Sequence, residues 1–203
     1  MTCLHVWEYF ATRKDGQHGV IVPLFGNGYT AVQLVQPTLI AQDERLDLAV
    51  IDLDGLRDFG EKRPFVLEES TIHRAARNDT LVILGFAGMW RESRANYSGF
   101  KYGALPFVVG DISRELDSII VSEGNASNNE VFGYLDTQPR INISGDSCGG
   151  LSGAPAFSLA DDGRSFKLAG FVRERAHGAL ILTAATCLGD LLQSPECRGE
   201  AGA

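Results

Sequence analysis

Positive charge is scarce in this sequence. Lys and Arg number 18 against 26 Asp and Glu, a formal net charge of -8. A phosphate backbone is held by clustered Lys and Arg, so nucleic acid is not expected as a partner. Long apolar runs are missing too. No stretch approaches the roughly 18 residues that a membrane-spanning helix needs, and no charged n-region leads into an apolar h-region as in a secretory signal. The expectation is a cytoplasmic chain with no membrane partner. Cysteine is sparse and unpatterned: Cys3, Cys148, Cys187 and Cys197 have no metal-ligand spacing. No metal and no cofactor is therefore expected, and reduced thiols are the default reading. Helical periodicity is short as well, with no 3.6-residue pattern of any length before residue 184. The chain does not repeat itself.

What is present reads as short strands between turn signals, an all-β pattern. Residues 19–25 are apolar and β-branched, Gly26-Asn27-Gly28 marks a turn, and extended patterning resumes over 29–35. Arg45-Leu46-Asp47 leads into the apolar run Leu48-Ala49-Val50-Ile51, with Asp52 facing outward by the period-2 rule. Residues 54–78 are charged and read as a connector. Strands are predicted over 79–85, 105–109, 118–121, 130–135, 154–159, 166–172 and 179–183. A loop is predicted over 89–103, turns at 86–88, 124–129 and 161–164, a helix over 184–193, and a polar tail after 194. Of the histidines, His18 and His73 sit next to polar loop residues and read as solvated surface.

The densest chemistry lies in Gly145-Asp146-Ser147-Cys148-Gly149-Gly150-Leu151-Ser152-Gly153-Ala154-Pro155. Glycine tolerates positive φ and close backbone approach, so such a turn can aim successive N–H groups at one point, as an oxyanion hole requires. Three nucleophiles compete. Ser152 has Gly150 two before it, Gly153 after it and Pro155 three after it. Ser147 follows Gly-Asp and is followed by Cys148-Gly149-Gly150. Cys148 follows Asp146-Ser147 and precedes two glycines. A glycine-rich turn between strands, with no chemistry, is the plainer alternative.

Gly150-Leu151-Ser152-Gly153-Ala154-Pro155 resembles the nucleophile loop, G-x-S-G-A-P, of the trypsin-like (chymotrypsin-fold) serine peptidases, and looks closest to their bacterial, disulfide-poor branch. Thr2-Cys3-Leu4-His5-Val6 is similar to the family's T-A-A-H-V, and Asp47-Leu48-Ala49-Val50 to its D-L-A-V strand. Gly170-Phe171-Val172 is similar to the strand that walls the primary specificity pocket. The resemblance spans residues 2 to about 192 and keeps the order His, Asp, Ser of that family. It implies two six-stranded-type antiparallel Greek-key barrels and a short C-terminal helix. It also implies a serine endopeptidase acting on polypeptide substrate, with His5 as base, Asp47 as its orienting carboxylate and Ser152 as nucleophile. The N–H groups of Gly150 and Ser152 would form the oxyanion hole, and Asp146, Phe171, Val172 and Arg173 would contact substrate. Family members carry strands ahead of the histidine motif, so a truncated start and an incomplete first barrel are expected. The domains then read as residues 1–70 for the first barrel, 71–194 for the second and 195–203 for a tail. An inactive domain that binds protein, and a cysteine peptidase of the same fold using Cys148, remain as alternatives.

Overall fold

Strand pairing, not helix packing, organises the chain, as the short alternating segments require. The computed structural model describes residues 1–12, 20–24, 31–35, 37–53, 65–85, 91–94, 97–100, 103–113, 117–123, 149–159, 165–176 and 179–192. The chain divides into two compact units, Met1–Leu67 with Gly189–Ala203, and Glu68–Leu188.

In the first unit, β1 (Thr2–Cys3) passes directly into helix α1 (Leu4–Ala11). β2 (Val20–Leu24) and β3 (Ala31–Val35) form an antiparallel pair, the hairpin that the β-branched runs predict. Their connecting turn lies outside the described residues, as does His18. β4 (Thr38–Asp43) and β5 (Leu48–Asp52) pair antiparallel around the tight turn 44–47, and β1 adds to the free side of β5 with Thr2 opposite Ala49 and Cys3 opposite Leu48. Cys3, Leu4, Ala41, Leu46, Leu48 and Ala49 are buried. Asp52 is exposed, as the alternation requires.

Helix α1 corrects the expectation of no helix before residue 184. It is only two turns long, too short for periodicity to stand out, and its apolar residues Leu4, Trp7 and Phe10 recur at three-residue intervals. The rings of Trp7 and Phe10 lie 5.6 Å apart, the i, i+3 contact that a helix surface allows.

The second unit is a closed antiparallel barrel. Its strands are β6 (Thr80–Gly85), β9 (Gly103–Ser113), β10 (Ser118–Glu123), β11 (Pro155–Leu159), β12 (Phe166–Ala176) and β13 (Ala179–Ala184), in the order β10-β13-β12-β11-β6-β9. Closure leaves no open ladder edge. Alternate residues fill the interior: Leu81 and Ile83; Leu105, Phe107 and Val109; Ile119 and Val121; Leu180 and Leu182. In β12 the run Leu168–Val172 is buried on both faces, and the register shifts at Ala156/Phe157 and at Val172/Glu174 bend the strand, as bulges do.

The predicted loop over 89–103 instead contains a small antiparallel hairpin, β7 (Arg91–Arg94) with β8 (Tyr97–Phe100). Arg-Glu-Ser-Arg has no apolar alternation, so no pattern marks it. The strand predicted over 130–135 and the turns at 86–88, 124–129 and 161–164 lie outside the described residues. A 3-10 turn (Ala185–Cys187) leads into the short helix α2 (Leu188–Leu192). No described helix is long and apolar enough to cross a membrane.

Candidate active site

The turn between β4 and β5 carries the first group of candidate residues. Asp43 accepts the N–H of Leu46 at 2.9 Å and so ties down the turn. Asp47 closes it at φ 51°, in the left-handed region that Asp tolerates better than most residues. Its carbonyl accepts the N–H of Leu4 at 3.0 Å. Its carboxylate then meets the start of α1 twice: Oδ1 accepts the His5 backbone N–H at 3.0 Å, and Oδ2 lies 2.7 Å from His5 Nδ1. Cys3, at the N-cap, provides no side-chain cap. Asp47 supplies that cap from 42 residues away, where the helix dipole favours a negative charge by about 0.3–1 kcal/mol. A carboxylate on Nδ1 selects the tautomer with the proton on Nδ1 and the lone pair on Nε2. The imidazole is about half exposed, 52%, and the carboxylate is 23% exposed. The structure therefore brings together two of the residues singled out in the sequence.

The second group of candidate residues lies in the barrel unit, in the loop leading into β11. Leu151 is anchored in the core at 1% exposure. The Ala154 N–H donates to the Leu151 carbonyl at 2.8 Å, closing a turn with Ser152 and Gly153 at its corners. Gly153 has φ 81°, the value that a type II turn needs at its third residue. The turn is stitched to β12 by Gly153 N–H to Val172 O at 2.8 Å and by Val172 N–H to Ala154 O at 2.9 Å. Ser152 is thus held at a corner, half-buried. Gly150 adopts φ 87° and is exposed. Among the described residues, no hydrogen bond uses the N–H of Gly150 or of Ser152.

Gly85 leaves room for this docking, and Gly170 for the close pairing of β12 with β13. A Cβ on Gly85 would come within 3.0 Å of Leu151 Cδ2 and of Ala154 Cβ, and one on Gly170 within 2.4 Å of the Thr183 carbonyl oxygen. Of the residues expected to contact substrate, Phe171 and Val172 are buried, with Val172 in the barrel core. Arg173 sits at the bulge of β12, its guanidinium 3.2 Å from Glu174. Asp146, Ser147 and Cys148 lie outside the described residues.

His73 departs from the surface reading. Its Nε2 lies 2.8 Å from Asp79 Oδ2, both side chains are half-buried, and its backbone N–H donates to the Leu168 carbonyl at 2.7 Å. Asp79 also accepts the Ala76 N–H, so the pair closes the turn ahead of β6. His73 and Arg74 line a cavity of about 440 Å³ with Ser113, Asp117 and Thr186, to which no residue of the Gly150–Pro155 loop contributes. For metal ligation the described residues hold one group of mixed donors: Cys3, His5 and Asp47 offer ligand atoms all within 4.8 Å of one another.

No protein-family model matches the chain. No curated protein matches it either. Among solved structures, it is similar to Rv3671c from M. tuberculosis H37Rv, a serine-to-alanine mutant in the inactive form. The identity is 16% over all of this chain and 78% of that one, with a TM-score of 0.50. The Rv3671c protease, also in an inactive form, is 18% identical over 94% of this chain and 75% of that one, with a TM-score of 0.49. At such identities the likeness speaks for architecture alone, and with the closed six-stranded barrel and its companion sheets it gives this chain the chymotrypsin fold.

Proposed function

We propose that this chain is a serine endopeptidase that hydrolyses peptide bonds through an acyl-enzyme. The observation that carries the proposal is the doubly bonded Asp47 carboxylate, on His5 N–H at 3.0 Å and on His5 Nδ1 at 2.7 Å. A solvated surface pair would have no reason to be fixed at both oxygens. The chymotrypsin fold and the Gly-x-Ser-Gly-Ala-Pro turn, with two N–H groups that bond nothing else described, support the same reading.

In the proposed reaction Ser152 Oγ attacks the scissile carbonyl carbon and gives its proton to His5 Nε2. The carbonyl oxygen becomes an oxyanion, held by the N–H groups of Gly150 and Ser152. Removing one such donor costs about 2.7–4 kcal/mol of transition-state stabilisation elsewhere. The C–N bond then breaks, and the leaving amine takes the proton from Nε2. Water repeats the sequence: it adds to the acyl carbon, gives a proton to Nε2, and Ser152 Oγ leaves with that proton. Asp47 keeps the imidazole in the Nδ1–H tautomer and stabilises the imidazolium.

A fluorophosphonate probe tests the assignment, since it phosphonylates only an activated hydroxyl. Wild-type chain is expected to label on Ser152, Ser152→Ala to lose the label, and Ser147→Ala and Cys148→Ala to keep it. Labelling that survives Ser152→Ala overturns the proposal. Labelling that is absent throughout, with peptide binding retained, supports a domain that only binds.

A further inference from the structure

The group formed by Cys3, His5 and Asp47 has a chemistry beyond proton transfer. We propose that it is a zinc site, and that a zinc ion bound there switches the hydrolytic site off. The switching part rests on the peptidase reading above; the binding part does not.

The donor set is the argument. Zinc takes thiolate sulfur at about 2.3 Å, imidazole nitrogen at about 2.0–2.1 Å and carboxylate oxygen at about 2.0–2.2 Å, with tetrahedral angles. Those lengths put paired donors about 3.3–3.6 Å apart. Here the three ligand atoms already lie within 4.8 Å of one another, so a shift of roughly an ångström completes the set. The backbone that carries them is firmly paired. Cys3 and Leu48 are register partners of β1 and β5, Asp47 directly precedes Leu48, and His5 is fixed by the N–H bond to Asp47. Cys3 is not in a disulfide. A thiolate and a carboxylate together neutralise a divalent ion, and the soft sulfur favours zinc or cadmium over magnesium or calcium. Burial grades from Cys3 through Asp47 to the half-exposed His5 ring, so the ion would enter from the imidazole side. Three protein ligands leave the fourth position to water.

Binding is balanced as one zinc ion in and one thiol proton out, the imidazole remaining neutral. The consequence for His5 does not depend on which ring nitrogen binds. Metal on Nε2 occupies the lone pair that would take the serine proton. Metal on Nδ1 displaces the Asp47 hydrogen bond and leaves the ring proton on Nε2, which then has no lone pair to offer.

The test uses the full chain, freed of metal by chelation and kept reduced. Cobalt(II) stands in for zinc because its bond to a thiolate gives an intense near-ultraviolet charge-transfer band. One equivalent is expected to saturate the band, and zinc to bleach it. Cys3→Ala should abolish it. His5→Ala, at a half-exposed side chain, should weaken cobalt binding beyond the roughly 10- to 100-fold that the loss of an outer-shell partner costs. Absence of the band, or a band unchanged in Cys3→Ala, overturns the site. Saturating zinc should slow fluorophosphonate labelling by roughly 10²- to 10⁴-fold, the usual contribution of a general base, and the zinc-to-chelator ratio in Cys3→Ala should be near one. A cobalt band with labelling indifferent to zinc overturns the switch alone. If the metal-free chain does not label at all, the peptidase reading fails, and the band still decides the site.

Discussion

Asp47→Asn separates the two tasks that this carboxylate performs. In the structure Oδ1 accepts the His5 backbone N–H at 3.0 Å, and Oδ2 lies 2.7 Å from Nδ1. An amide has one oxygen. Turned toward the backbone, it keeps the helix cap, for which Asn and Asp are about equally good. The stability change should then be limited to the charge–dipole contribution, about 0.3–1 kcal/mol. The other end of the amide is an NH₂ facing Nδ1. It donates where the carboxylate accepted, so the ring must carry its proton on Nε2, and the proposed base loses its lone pair at that nitrogen. Wrong-tautomer substitution in a Ser-His-Asp triad costs about 10⁴ in rate, equivalent to roughly 5.5 kcal/mol at 1.36 kcal/mol per tenfold. The assay pairs the second-order rate of fluorophosphonate labelling with a thermal melt of the same sample. The expected outcome is a rate loss near 10⁴-fold with a nearly unchanged melt. A labelling rate within about tenfold of wild type, in a folded variant, would refute the idea that Asp47 sets the tautomer of the base. Loss of the melt as well would mean that the carboxylate is chiefly a structural cap.

Other substitutions probe the scaffold and the specificity. Gly170→Ala places a Cβ 2.4 Å from the Thr183 carbonyl oxygen, between paired strands that cannot part locally; a stability loss of at least about 1–3 kcal/mol is expected in urea unfolding. Leu151→Ala removes the anchor of the serine turn from a fully buried position. It should cost about 2–5 kcal/mol and slow labelling further than the loss of folded protein accounts for. Asp146, six residues before Ser152, is proposed to pair with a basic side chain of the substrate through a charge-assisted contact. Peptide-library profiling should show Arg or Lys before the cleaved bond, and a profile without that preference rules the pairing out.

Local pattern alone determined a good part of this chain. The β2–β3 hairpin, the Asp47-to-Ile51 segment and the barrel strands are legible because a half-buried strand must alternate, and because turns collect Gly, Asn and Asp. The turn around Ser152 is legible because φ values of 87° and 81° at Gly150 and Gly153 are ones that only glycine adopts cheaply. Helix α1 was not legible, being two turns long, and neither was the β7–β8 hairpin, where Arg-Glu-Ser-Arg carries no apolar signal. Tertiary structure alone decided the rest. His73 meets Asp79 only once the turn ahead of β6 has closed. Cys3 joins His5 and Asp47 only because β1 pairs with β5, across more than 40 residues of chain. Spacing among cysteines is blind to such a group, since two of its three donors are not cysteines and one arrives from a distant turn. Gly85 and Gly170 likewise look like ordinary strand glycines until the Leu151 side chain and the Thr183 carbonyl occupy the space a Cβ would need. Alternation and turn chemistry are short-range properties of the backbone, whereas which side chains meet is set by strand register, and register is fixed only when both partners are in place.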